Sequence, residues 1–172
     1  MTLDDINRID RDAFVAALGG IFEHSPWVAE RVFALRPFPN VDALHDAMVF
    51  AMHGATPDEQ LALVLAHPEL AGRAMVAKAL TADSSREQSG AGLTECSDDE
   101  YARLVELNAR YNAKFGFPFI LAVKGHDRQS IIAEFARREQ HDMAVEFAQA
   151  LGQIARIARF RLEALLQSGS DT

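Results

Sequence analysis

Apolar residues recur along most of this chain at the three- and four-residue spacing that places them on one face of a helix. The clearest helix start is the capping box from Thr56 to Glu59, which carries Pro57 at the first helical position. That helix should end at Ala66 or His67, because the proline that follows biases the preceding backbone away from the helical region. Further starts are predicted at Asp10, Ser25, Asn40, Ser97, Asp127 and about Asp142, and stops at Gly19, Arg36, Gly54 and Gly116.

The segment 117–123 breaks this pattern, because it is apolar without polar interruptions. Periodicity alone would make it a buried strand, yet no second strand is predicted that could pair with it. We therefore expect an extended segment between helices, whose backbone groups need partners outside a sheet, and a polar ligand could supply some of them. The pattern as a whole predicts an all-α helical bundle. The length suits one domain or at most two small ones, and we expect a single domain over residues 1–172 with a short disordered tail near 167–172.

The charge balance narrows the class of partner. The 172 residues include 25 acidic and 17 basic side chains, which gives a formal net charge of −8. This balance argues against nucleic acid and against anionic membrane surfaces, since both require clustered Lys and Arg. No apolar run approaches the ~20 residues that a membrane-spanning helix needs. A small anionic substrate would have to be attracted by one or two well-placed cations.

Cysteine and histidine usage indicates the compartment and argues against a metal site. Cys96 is the only cysteine, so no intramolecular disulfide can form, which fits a reducing compartment. The N-terminus lacks the basic start and apolar core of a signal peptide, and the final Ser-Asp-Thr differs from the Ser-Lys-Leu peroxisomal address. We therefore expect a cytoplasmic protein. The six histidines form no HExxH pair, so no metal site is predicted.

The last predicted helix contains a candidate for anion binding, Arg161. A guanidinium that faces a core needs an anion, because it cannot lose its charge. Arg161 could clamp a substrate oxygen or a ureido carbonyl; alternatively, it reaches solvent or pairs with an internal Glu. The stripe on which it is predicted to lie comprises Phe147, Leu151, Ile154, Ala158, Arg161 and Leu165.

Two other stretches carry groups that could transfer protons. His67, held at a helix end by Pro68, could be a general acid or base, although a C-terminal histidine could equally interact with the helix dipole. The run 84–88 has capping-box spacing and could start a short helix, but the sequence SGAG at 89–92 follows it instead of an apolar stripe. We expect exposed polar groups there, and Glu87 could orient His67. The run consists of Ser84, Ser85, Arg86, Glu87 and Gln88.

Four segments together resemble one enzyme family: HPELA at 67–71, SSREQSGAGL at 84–93, YNAKFGFPFILAVKG at 111–125 and IARIARFRL at 154–162. Their order and spacing are similar to those of the 2-oxo-4-hydroxy-4-carboxy-5-ureidoimidazoline (OHCU) decarboxylases, the last enzymes of the route from urate to allantoin. The region 14–33 also resembles the opening of that family. The likeness therefore covers nearly the whole chain.

The resemblance implies an all-α enzyme that forms homodimers and converts OHCU to (S)-allantoin and CO2. It implies that His67 is the catalytic acid or base, with Glu87 beside it, and no cofactor is expected. Two alternatives remain open: a non-catalytic helical interaction module, and a helical metallohydrolase. The residues that the resemblance places around the substrate are Pro68, Ser84, Ser85, Arg86, Glu87, Gln88, Phe119, Ile120, Leu121, Ala122, Val123 and Arg161.

Overall fold

The computed structural model describes residues 1–70 and 97–167, and every regular element within these two ranges is helical. This confirms the predicted all-α class. None of these described helices combines the length and the apolar character that crossing a bilayer requires. The helices are α1 (Leu3–Arg8), α2 (Arg11–Leu18), α3 (Trp27–Val32, continued by a 3-10 turn at Phe33–Leu35), α4 (Val41–His53), α5 (Pro57–Ala66), α6 (Asp98–Phe115), α7 (Arg128–Glu139) and α8 (Met143–Gln167).

Most of the predicted helix starts are confirmed by side chains that cap the first turn. In α5 the box is reciprocal, because the Thr56 N–H donates to the Glu59 carboxylate at 2.9 Å and the Glu59 N–H donates back to the Thr56 hydroxyl at 3.3 Å. Such caps satisfy backbone N–H groups that have no partner within the helix. The side chains that begin α2, α4, α6 and α7 in this way are those of Asp10, Asn40, Ser97 and Asp127.

Two starts differ from the prediction. The sequence pattern did not indicate α1, which is only six residues long and begins with a capping box between Thr2 and Asp5. Ser25 was expected to cap α3, but its hydroxyl donates to the carbonyl oxygen of Glu23 at 2.9 Å, and α3 begins at Trp27 without a side-chain cap. The hydroxyl is therefore used by the preceding loop, which explains why the predicted cap is wrong.

The described residues form two compact units. The first contains Met1–Ala66 and the chain from Ile154 onward, and the second contains His67–Gln153, so α8 contributes to both. Whether residues 1–172 behave as one domain with a disordered tail remains a prediction. Buried side chains of the first unit include Phe14, Leu44, Met48, Leu63, Ala158 and Leu162, and those of the second include Leu104, Tyr111, Phe119, Ile131, Phe135 and Leu151.

Candidate active site

His67 directly follows α5, which ends at Ala66 as predicted, and only 6% of its surface is exposed. The backbone after it is tied to α6 by the carboxylate of Glu69. This carboxylate accepts hydrogen bonds from the side-chain amides of Asn112 at 2.7 Å and Asn108 at 3.2 Å. The imidazole is therefore removed from bulk water, and a carboxylate two residues further on holds the turn to which it belongs.

The other residues predicted around His67 are only partly covered by the structure. Pro68 is exposed. Residues 84–88, which include Glu87, lie outside the described ranges. Their predicted roles therefore stay predictions.

No residue of the segment 117–123 belongs to a helix or a sheet, and no strand within the described residues pairs with it, as predicted. Gly116 begins it: this residue ends α6 in the left-handed conformation, with φ of +72°. Side chains, and not another strand, supply two of the partners that the backbone needs. The guanidinium of Arg138 donates to the Ile120 carbonyl at 2.6 Å, and the Ala122 N–H donates to the side-chain oxygen of Gln153 at 2.9 Å. Phe119, Ile120, Leu121 and Ala122 are buried, and Val123 is half-buried.

A buried ion pair between Arg138 and Glu146 contacts this segment at the carbonyl of Ile120. Arg138 and Glu146 are both fully buried, and one oxygen of Glu146 accepts from the Arg138 Nε at 2.8 Å and from its Nη2 at 2.5 Å. The same oxygen accepts from the Tyr111 hydroxyl at 2.5 Å, and the other oxygen lies 2.9 Å from Nδ1 of His141. The guanidinium also lies over the ring of Phe119, 4.3 Å from its centroid. The two charges are thus surrounded by hydrogen-bond partners, which a buried charge requires.

This buried environment changes the pKa of the Tyr111 phenol. Burial raises its pKa above the ordinary value, and the hydrogen bond to the Glu146 carboxylate raises it further, because a second negative charge beside that carboxylate is unfavourable. Tyr111 is therefore a hydrogen-bond donor in the buried network across the physiological pH range.

Arg161 lies at the edge of the buried face of α8. Its side chain is 33% exposed, and the buried positions along this part of the helix are Ile154, Ala158 and Leu162. The prediction that Arg161 lies on the core stripe is therefore wrong by one position. Its Nη2 binds the carboxylate of Glu23 at 2.7 Å, and its Nη1 donates to the carbonyl oxygens of Gly20 and Ile21 at 3.3 and 3.2 Å. The pairing with an internal Glu, which the sequence left open, is observed.

Three buried polar residues of this network, Arg138, Glu146 and Gln153, were not predicted from the sequence. A signal was available for two of them, since Glu146 and Gln153 lie seven residues apart on the face of α8 that also buries Ala150. Polar side chains on an otherwise apolar face need hydrogen-bond partners, so such residues can be predicted to take part in a buried polar network. Arg138 had no such signal, because it stands among charged neighbours on α7.

No group of three or more His, Cys, Asp or Glu side chains is arranged to hold a metal ion within residues 1–70 and 97–167. A model of the family described as OHCU decarboxylase matches residues 7–163. The chain belongs to the OHCU decarboxylase family. This confirms the resemblance and the predicted enzyme class, a carboxy-lyase, and it favours the decarboxylase over the interaction module and the metallohydrolase.

Individual relatives agree with the family assignment. The chain is 43% identical over 162 residues to the 2-oxo-4-hydroxy-4-carboxy-5-ureidoimidazoline decarboxylase of Haloferax volcanii, and the match covers 94% of each chain. It is also 43% identical over 171 residues to the uric acid degradation bifunctional protein PucL of Bacillus subtilis, but it spans only 34% of that longer protein. A crystal structure of (S)-allantoin synthase superimposes with a TM-score of 0.80 at 30% identity, covering 96% of this chain and 54% of the other.

The shifted pKa of Tyr111 predicts a titration difference between the folded and unfolded chain. In a Tyr101→Phe variant, Tyr111 is the only tyrosine. Because the fold holds the phenolic proton, the folded variant should show no tyrosinate absorbance at about pH 11, whereas the urea-unfolded variant should show it. The raised pKa of Tyr111 also contributes to the free energy of unfolding. This contribution is present in full below a pH of about 10, the ordinary pKa of tyrosine, and it falls as the pH rises above that value. Tyrosinate absorbance from the folded variant would contradict this.

Proposed function

We propose that this chain catalyses the decarboxylation of OHCU to (S)-allantoin and CO2 in urate degradation, with His67 as its acid or base. The observation that carries the proposal is the family match over residues 7–163, supported by a decarboxylase relative that the chain covers almost from end to end. The bifunctional relative carries further sequence beyond the match, and only the decarboxylation is proposed for the present chain.

The substrate itself can accept the electrons of the broken bond. When CO2 leaves the carbon that carries the hydroxyl group, the electron pair of the broken bond forms a C=C bond to the neighbouring ring carbon, and the ring nitrogen of the former C=N takes up a proton. The hydroxyl proton is then lost to give the new carbonyl, while the electrons of the C=C bond take up a proton at the neighbouring ring carbon. The reaction therefore needs proton transfer and orientation, and no electron sink from a cofactor is expected.

His67 is suited to the proton transfer. Imidazole exchanges protons near neutral pH, and a buried imidazole at a fixed helix end can be held in one direction. We propose that it handles the hydroxyl proton as CO2 leaves, with Glu87 orienting the ring. Delivery of the second proton from one face of the ring would give the (S) product.

Arg161, Ser84 and Gln88 are proposed to hold the ring and the ureido group. A guanidinium carries five N–H donors, more than the carboxylate of Glu23 and two carbonyl groups use. Because the carboxylate of Glu23 balances its charge, Arg161 would act on the substrate chiefly through the N–H donors that these partners leave. Backbone groups of the segment 119–123 are proposed to complete the binding site.

The family resemblance also leads us to propose a homodimer and a cytoplasmic location. The first unit exposes large apolar side chains on α4 and α5, including Phe50, of which 79% is exposed, and Leu65. These side chains are candidates for the contact with a second copy of the chain. Sedimentation velocity should give twice the mass of one chain, and a Phe50→Glu variant should shift the equilibrium toward the monomer. A monomer at micromolar concentration would contradict the proposed dimer. Cell fractionation tests the proposed cytoplasmic location.

Removal of either proposed proton-transfer group should abolish most of the turnover. His67→Ala and Glu87→Ala should each lower kcat by a factor of about 100 or more, the usual contribution of general acid–base groups, while the chain stays folded. The measurement is the optical signal of (S)-allantoin from freshly generated OHCU, because spontaneous decay gives racemic product. His53→Ala is the matched control: this histidine is exposed at the end of α4, and turnover should be unchanged. Wild-type rates in both variants would exclude the proposed roles.

A comparison with Arg159 on the same helix tests whether Arg161 binds the substrate or serves only as an ion-pair partner. Arg159 pairs with Asp42 and Glu163, so Arg159→Ala removes a comparable, part-exposed ion pair. Arg161→Ala should raise KM about 10-fold or more, as expected when a charge-assisted hydrogen bond to substrate is lost, and Arg159→Ala should not. If Arg161→Ala lowers the unfolding temperature and leaves KM unchanged, Arg161 serves only as a structural partner of Glu23.

A further inference from the structure

We propose that Arg138 and Gln153 are positioning residues for the substrate, because they fix the backbone of the segment 119–123 so that the N–H and C=O groups of Leu121 are presented to the ligand. The inference rests on the proposed function, which places this segment at the substrate. It concerns two side chains of α7 and α8 that themselves need not touch the substrate.

The two anchors bind one edge of the segment. Arg138 donates to the carbonyl of Ile120 at 2.6 Å, and Gln153 accepts from the N–H of Ala122 at 2.9 Å. In the extended backbone that the sequence predicts for this segment, the polar groups of residues two apart lie on the same edge and those of the residue between them lie on the opposite edge. The N–H and C=O of Leu121 are then directed away from both anchors.

The backbone of Leu121 has the properties expected of a ligand contact. Leu121 is buried, and neither its N–H nor its C=O forms a hydrogen bond with another residue of the described ranges. A buried backbone donor and acceptor need partners. A ureido group supplies both an acceptor oxygen and N–H donors, so it could pair with this N–H and C=O simultaneously.

The anchor on the Ile120 side is itself immobilised. The remaining nitrogens of Arg138 bind the carboxylate of Glu146 at 2.8 and 2.5 Å, and its guanidinium lies over the ring of Phe119. That ring stacks on Phe135 with 3.8 Å between the centroids. Rotation of the guanidinium away from Ile120 would leave a buried carboxylate without its cation, which is strongly unfavourable. The position of the Ile120 carbonyl is therefore set by the ion pair.

The Gln153 anchor allows the sharpest test, because it can be removed and restored without changing the size of the side chain greatly. Gln153→Met lacks the oxygen that accepts from Ala122, and Gln153→Glu retains one. The methionine variant should raise KM for freshly generated OHCU about 10-fold with kcat changed much less, since a displaced binding group weakens orientation of the substrate. The glutamate variant should recover most of the wild-type KM.

Arg138 is tested in a double variant. Arg138→Met alone leaves Glu146 uncompensated and is expected to unfold the chain, so Arg138→Met is combined with Glu146→Gln, which removes both charges. The folded double variant should also show the raised KM. Tyr111→Phe is the matched control: it removes a hydrogen bond to Glu146 but leaves both anchors in place, so it should lower the unfolding temperature and leave KM unchanged.

Hydrogen exchange at the backbone amide of Ala122 gives a readout that does not depend on turnover. Exchange should be faster in Gln153→Met than in the wild type, and slow again in Gln153→Glu. A KM within twofold of wild type in Gln153→Met, unchanged exchange in that variant, or an equal rise of KM in Tyr111→Phe would each overturn the inference. A wild-type chain that does not turn over OHCU would instead overturn the proposed function, and the exchange experiment would still decide whether Gln153 anchors the segment.

Discussion

The second unit depends on the ion pair between Arg138 and Glu146, which are both completely buried. Removing two such charges from water costs several kcal/mol for each ion, and only good geometry with additional hydrogen bonds offsets this cost. Glu146 receives hydrogen bonds from Arg138 and Tyr111 and lies within hydrogen-bond distance of His141, while Arg138 also binds the carbonyl of Ile120. Because these residues come from α6, the segment 117–123, α7 and the start of α8, the ion pair connects these parts of the unit.

The local features of the fold were predictable because their causes are local. An N-terminal cap depends on residues three positions apart, and the capping side chains at Asp10, Asn40 and Thr56 could be identified from the sequence. The short α1 was missed because six residues show too little periodicity. The stripe on α8 was wrong at Arg161 because the buried positions in this part of the helix follow one another at intervals of four residues, at Ile154, Ala158 and Leu162, and the predicted stripe takes an interval of three after Ala158. Leu162 therefore occupies the face predicted for Arg161.

The candidate site was predictable only in part. The sequence indicated that the segment 117–123 needs partners outside a sheet, and the structure identifies Arg138 and Gln153 as two of them. Hydrophobic patterning could not identify Arg138, because it assigns charged residues to the surface, where most of them lie, whereas the place of Gln153 on the buried face of α8 was a signal. The residues alone left the acid–base role of His67 and Glu87 as one of several interpretations, since an isolated histidine at a helix end has several ordinary explanations, and the family resemblance selected that role.

The left-handed backbone at Gly116 limits how this chain can change during evolution. A Cβ atom added at this position would meet nothing within 4 Å beyond its chain neighbours, so space next to the Cα atom is not the constraint. The constraint is the φ angle of +72°, which costs most L-residues about 1–2 kcal/mol and is accepted readily only by glycine, with asparagine the least costly replacement. We therefore expect very few substitutions at position 116 to be tolerated during evolution, even though glycine has no side chain that could take part in the chemistry. A substitution there would alter the direction in which the chain enters the segment 117–123.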